Sequence, residues 1–367
     1  MILYARMCCW SVELVLGGEG DSRAAGDTVI RNLECAGTAV MLSSIRIDSW
    51  DDWTRVYNDV SVWHGLIDAI CVQEGIGYRA IEAASANTNA VFLLDQAWAL
   101  KIYSPFWDEF DFERSLLEGL GSQNEIPVPE VTGCGQIADG DGVDWSYLIT
   151  RYCGGRPYSE LRSELSDGEA RLIATQLGGM ARSLHELDVS RFADAASEGA
   201  WSEVVSQRRR AAAGELVDAG MLEPRVASSL EALLDEAMAA DVVESRVVVH
   251  GDLGADHVLC ALSEEGWRIE TLIDFGDAKI GVREYEWMPV WTGFCGRDPV
   301  LARAFLDAYD PALAHDSQFA QRAVAWSLLH DFGGDDLISY GRERGRPRPF
   351  ETMDELAALL CPRSIFG

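Results

Sequence analysis

Two stretches decide how this chain reads: His250-Gly-Asp-Leu-Gly-Ala-Asp-His257 and, one predicted hairpin later, Ile273-Asp-Phe-Gly-Asp277. A short β run, Val247 to Val249, leads into the first, and Val258–Ala261 and Trp267–Ile273 flank a Ser-Glu-Glu-Gly turn between them. Moving a phosphoryl group has needs that such a pattern meets. Charge on the transferred group must be neutralised by a cation whose ligands sit on rigid backbone. A separate carboxylate must hold the attacking hydroxyl and accept its proton. Asp252 is placed for the hydroxyl. His257, five residues on, and Asp274, at the end of the hairpin, are placed for the metal.

Working outward, the two stretches lie downstream of Lys101 in Ala-Leu-Lys-Ile-Tyr and Glu113 in Asp-Phe-Glu-Arg. Together these residues resemble the aminoglycoside phosphotransferase family, whose signature is HxDxxxxN followed by IDFxD. The resemblance runs from about Tyr78 to Gly341 and includes Ile126-Pro-Val-Pro129 and Leu184-His-Glu-Leu187. It implies an α+β, two-lobed protein-kinase-like fold and transfer of the γ-phosphoryl group of ATP or GTP, with Mg²⁺, to a hydroxyl of a small molecule. By resemblance Lys101 contacts the α- and β-phosphates, Glu113 pairs with Lys101, Asp252 is catalytic and Asp274 binds metal. Tyr147 to Gly155 resembles the strand and hinge against which the purine lies.

The chain departs from the family pattern twice. Position 257 is His rather than Asn, and imidazole is a larger, softer donor than an amide oxygen. The loop Ser85-Ala-Asn-Thr-Asn89 has no glycine, so backbone amides and the Ser85 and Thr88 hydroxyls are the candidates for the phosphates there.

The flanking pattern fits. Arg79–Ala84, Ala90–Leu94, Trp98–Tyr103, Val131–Ile137 and Ser146–Tyr152 read as five strands, with a tight turn at Asp95-Gln96. Phe106 to Leu120 reads as one helix after the third strand, and Ile47 to Ile76 has helical spacing. Beyond Gly154-Gly155 the chain turns helical, with Leu172, Ile173, Leu177, Met180, Leu184 and Leu187 on one stripe and two further helices within 203–240. This predicts a nucleotide-binding lobe over 41–153, with an N-terminal helical segment, and a helical lobe over 154–367. Residues 1–40 read either as an extension or as sequence upstream of the natural start.

Composition narrows the partners. The chain has 367 residues, 60 acids against 30 bases, and a formal charge of −30. Such a surface repels phosphate backbones and anionic membranes, which argues against nucleic acid and membrane. Nine cysteines without a CxxC spacing suit free thiols in a reducing cytoplasm. All but two bases are arginine. Of the two lysines, Lys279 reads as solvated, as does the run Arg208-Arg209-Arg210. His250 and His185 read as structural.

For the acceptor, acids beside aromatics after Asp277 nominate Glu284, Glu286, Trp287 and Trp291 as contacts for an aminoglycoside-like or amino-sugar substrate. The alternatives are a metabolic kinase for a sugar, amino alcohol or choline-like acceptor, or a catalytically idle nucleotide-binding module. The sequence does not fix the oligomeric state.

Overall fold

The computed structural model describes residues 47–84, 88–107, 109–121, 126–138, 143–192, 198–344 and 348–365. Ser85 and residues 1–46 therefore lie outside the described part. Two helices come first, α1 (Trp50–Val56) and α2 (Val60–Glu74). Ser49 and Asp59 start them by accepting backbone N–H groups at their N-termini, and Gly75 ends α2 at φ 67°.

Strands β1 (Ile81–Ala83), β2 (Ala90–Leu94), β3 (Trp98–Ile102), β4 (Val131–Ala138) and β5 (Asp144–Arg151) form an antiparallel sheet in the order β1-β2-β3-β5-β4. The β2–β3 hairpin turns at Asp95 and Gln96, both at positive φ (52° and 49°). β1 is shorter than the sequence predicts. The N–H groups of Arg79 and Ala80 donate to the Asp95 carboxylate instead of a ladder. Helix α3 (Phe110–Gly121) follows β3. It starts at Phe110, later than the predicted Phe106; ahead of it the Ser104 N–H donates to the Asn89 side chain.

Alternation along β3 gives the sheet two different faces. Leu100 and Ile102 face a core built with Trp53, Trp63, Leu66, Ile67 and Ile70 of α1 and α2, Phe92, and Trp145, Tyr147 and Ile149 of β5. Lys101 points the other way, toward α3. On that side Phe112, Leu116, Leu117 and Leu120 of α3 and Leu148 of β5 belong to the same hydrophobic cluster as the rest of the chain.

Beyond β5, a two-residue strand β6 (Arg156–Pro157) and the single turn α4 (Tyr158–Leu161) lead into α5 (Asp167–His185), which opens with a Ser166–Glu169 capping box. Helices α6 (Glu198–Asp218) and α7 (Pro224–Ala239) follow. Strand β7 (Val247–Val249) then delivers the first motif, and β8 (Val258–Ser263) and β9 (Gly266–Leu272) form the hairpin to the second. β6 pairs with β8, and β10 (Lys279–Gly281) pairs with β7. Neither β6 nor β10 is among the strands that the sequence predicts. Helices α8 (Pro299–Tyr309), α9 (Ser317–Leu329), α10 (Gly333–Glu343) and α11 (Met353–Leu360) complete the chain. The described cysteines are free thiols. No helix among the described residues is long and apolar enough to cross a membrane.

Two surface readings are corrected. Lys279 is not solvated: its Nζ donates to Asp331 Oδ2 at 2.9 Å and lies over the Tyr285 ring. Of the arginine run, Arg210 is exposed as predicted, but Arg209 forks onto Asp235, joining α6 to α7, and Arg208 pairs with Glu215 at 3.0 Å.

Candidate active site

The site forms where the Lys101 face of the sheet meets the two motif loops. Lys101 Nζ lies 2.7 Å from Glu113 Oε2 and 2.8 Å from Asp274 Oδ1. The Tyr103 hydroxyl donates to the same Glu113 oxygen at 2.7 Å. Burial disfavours the lysine's charge, but the Asp274 and Glu113 carboxylates outweigh it and hold its pKa above the ordinary value. Gly276 lets the loop come this close. A Cβ there would stand 2.8 Å from Glu109 Oε2 and 3.0 Å from Lys101 Nζ. Asp274 sits at φ 61°, a left-handed conformation that is costly for a non-glycine residue.

His257 stands between the two acidic residues. Its Nδ1 is 2.7 Å from the Asp252 carbonyl oxygen, and its Nε2 is 3.6 Å from Asp274 Oδ2. A carbonyl only accepts, so in the neutral ring Nδ1 carries the proton and Nε2 presents a lone pair toward Asp274. Burial opposes charge on this imidazole, yet the Asp252 and Asp274 carboxylates outweigh it and push its pKa up to about 9. A cation bound there competes with that proton. Among the described residues no group of three or more His, Cys, Asp or Glu side chains is set to hold a metal alone. Mg²⁺ characteristically takes one or two carboxylates and completes its shell with water and substrate phosphates. Asp274 with His257 is a donor set of that size, and it fits.

Beneath the loop is a support that the sequence did not reveal. Glu286, 3% exposed, accepts the backbone N–H groups of His250 at 2.7 Å and Gly251 at 3.2 Å. His330 Nδ1 accepts from Phe332 N–H, so its Nε2–H donates to the Gly251 carbonyl at 2.9 Å. His250 is likewise used for structure: Nδ1 accepts from Asp252 N–H, and Nε2–H donates to the Ile273 carbonyl at 3.1 Å. Gly251 itself is at φ 79°, and a Cβ there would lie 2.2 Å from the Asp277 carbonyl oxygen. His185 is buried, its Nδ1 2.7 Å from the Tyr309 hydroxyl.

The four residues nominated for the acceptor are not at a surface. Glu284 pairs with Arg322 at 2.7 Å, Glu286 holds the loop, and the Trp287 and Trp291 indoles donate to the carbonyls of Leu360 and Leu359. All four are buried, between 2% and 6% exposed. Spacing made them look like a cluster, but the chain uses Glu284 to hold α9, Glu286 to hold the loop and the two tryptophans to seat α11. Of the two donor-loop candidates, Thr88 is partly buried at the end of the β1–β2 loop and Ser85 lies outside the described residues. Glu109 and Asn89 were missed. The Asn89 amide donates to Glu109 beside Lys101, and its only sequence signal was its place at the end of a polar loop.

A lysine and its helix glutamate on a five-stranded sheet, facing two acidic loops on a helical lobe, define the kinase-like class of phosphotransferases. The chain belongs to the phosphotransferase enzyme family, whose model matches residues 79–321. Solved structures agree on the fold. The GDP complex of wild-type aminoglycoside 2'-phosphotransferase-IIIa is similar with a TM-score of 0.54 at 18% identity, over 82% of this chain and 97% of that one. The GDP and kanamycin complex of APH(2")-IIia is similar with a TM-score of 0.55 at 18% identity, over 77% of this chain and 97% of that one. No curated protein matches the chain in sequence.

Proposed function

We propose that this chain transfers the γ-phosphoryl group of ATP or GTP to a hydroxyl of a small cationic acceptor of the aminoglycoside or amino-sugar kind. The observation that carries this reading is the continuous arrangement Glu113–Lys101–Asp274–His257–Asp252 across the cleft. Lys101 orients the donor phosphates, and Glu113 with Tyr103 fixes the lysine. Asp274 and His257 hold Mg²⁺, which when bound neutralises charge on the transferred group. Asp252, on a loop locked from below, holds the acceptor hydroxyl in line and takes its proton. We place the division between the nucleotide lobe and the helical lobe at 153/154, so that the donor lies between Lys101 and the motif loops.

A cationic acceptor is supported by the formal charge of −30, which concentrates polycations at the surface. Kanamycin in one solved structure of similar fold supports the same acceptor class.

The test is thermal unfolding with ATP, GTP or neither, with and without Mg²⁺, on wild type and Asp274→Ala. A ligand at about a hundred times its dissociation constant stabilises by about 2.7 kcal/mol. A Mg²⁺-dependent shift in wild type that vanishes in the variant is expected. An acceptor panel of aminoglycosides, sugars and choline-like alcohols then follows phosphate transfer directly. No shift with either nucleotide overturns the reading.

A further inference from the structure

The aromatic core behind the sheet holds a polar contact that reaches the β1–β2 loop. Trp53 of α1 is fully buried, with Trp63 at 5.5 Å edge-on, Trp145 of β5 stacked at 6.1 Å and Tyr57 stacked at 6.4 Å. A buried tryptophan needs a partner for its N–H. Trp63, in the same cluster, finds one within its own helix pair, the Val56 carbonyl at 2.7 Å. Trp53 instead donates across 35 residues to the Thr88 carbonyl at 2.8 Å, in the β1–β2 loop.

That loop end lies beside the site. Val91 pairs with Lys101 and Ala90 with Ile102, so Asn89 enters the sheet at the Lys101 end of β3. Asn89 is 5% exposed and pinned at both ends of its amide. Its oxygen accepts from Ser104 N–H and its nitrogen donates to Glu109, each at 2.9 Å. The exit of the loop is thus held from the core by Trp53 and from the α3 side by Asn89. With ring neighbours on several sides, the indole has one orientation, and its N–H is aimed at one carbonyl.

We propose that Trp53 is a positioning residue for donor binding: α1, outside the family match at 79–321, fixes Thr88 and Asn89, at the end of the β1–β2 loop beside Lys101, where the donor phosphates are bound. The proposal rests on the donor site proposed above. Pre-setting a loop lowers the ordering cost of binding, so its loss reads out as donor affinity and not as acceptor affinity.

The experiment compares Trp53→Phe with Trp63→Phe. Both keep an aromatic ring and delete one indole donor in the same core, but only the first touches the loop. Expected for Trp53→Phe is a donor KM raised about three- to tenfold, with acceptor KM and kcat within about twofold. Trp63→Phe should lower the melting temperature without moving either KM. An unchanged donor KM in Trp53→Phe, or the same change in both variants, overturns the proposal. If Trp53→Phe does not fold, wild type answers. Adding Mg²⁺ and nucleotide should shift the NMR resonance of the Trp53 indole N–H, assigned through its proximity to Thr88, and leave that of Trp63 in place; two unmoved resonances overturn the proposal. Lys101→Ala separates the two levels. If wild type and Lys101→Ala show equal nucleotide-dependent stabilisation, the donor site itself is wrong. If only wild type is stabilised and Trp53→Phe matches wild type, the site stands and the role of Trp53 falls.

Discussion

The two sides of the loop from His250 to His257 are built by opposite rules. Above it, toward the cleft, side chains meet side chains: Lys101 with Glu113 and Asp274, His257 with Asp274. Below it, side chains meet backbone: Glu286 with two N–H groups, His330 with the Gly251 carbonyl, His250 with Ile273. The upper set is charged, and Asp274 in it is half exposed. The lower set is buried and offers a ligand nothing. In the proposed function the upper side carries the chemistry, whereas the lower side holds the backbone on which Asp252 stands.

The largest test of that contrast is Asp252→Ala. Transfer should fall about 10³-fold, as for loss of a general base, while Mg²⁺-nucleotide stabilisation remains. Steady-state rates and melting curves measure the two separately, and transfer near the wild-type rate removes Asp252 from its role. Next is Glu286→Ala. It leaves two buried N–H groups without their acceptor and should cost about 3 kcal/mol in urea unfolding, with activity lost as well. A variant as stable as wild type means that the lower network holds nothing.

A pH series follows. Burial, helped by the positive charge of Lys279, pushes the pKa of His330 down to about 4 despite the carboxylates of Asp331, Asp277 and Glu286. The folded state therefore keeps this imidazole neutral where the unfolded chain takes up a proton. Its contribution is complete above the unfolded value of 6.5 and declines as pH falls toward about 4, by up to about 1.4 kcal/mol per pH unit. His330→Gln, whose amide can still donate to Gly251, should flatten the decline between pH 6.5 and 4. A slope unchanged by the substitution assigns the decline to other groups. Smallest is His257→Asn on the upper side. Exchanging a nitrogen donor for an oxygen donor should lower the ratio of Mn²⁺- to Mg²⁺-supported activity about threefold, with activity retained. An unchanged ratio places His257 outside the metal shell.

The same contrast explains what the sequence disclosed. Asp252, His257 and Asp274 were legible from their spacing, and Lys101 and Glu113 from the resemblance to the family; the structure brings all five together. Strands β2, β3 and the β8–β9 hairpin were legible from alternation and turns. Glu286 and His330 were not. Their partners are backbone atoms, which have no residue identity to match, and they arrive from 36 and 79 residues away. Glu284, Trp287 and Trp291 misled for a related reason: acids and aromatics in a row describe a binding surface and a packed seam equally well, and only burial tells them apart. Lys279 misled because its partner, Asp331, is 52 residues distant.

The continuity of α3 with the helical core has a consequence for anyone who wishes to treat the lobes as parts. Phe112, Leu116, Leu117 and Leu120 come early in the chain but pack in the cluster that fills its second half, and the ring of Phe192 seats against Gly119. A fragment ending at 153 would carry that apolar face uncovered, and should precipitate or bind chaperones rather than fold. The sheet and its helix cannot be exchanged between relatives as a cassette. A workable chimera must graft α3 together with the residues that roof it, so the unit of inheritance here is an interface and not a stretch of chain.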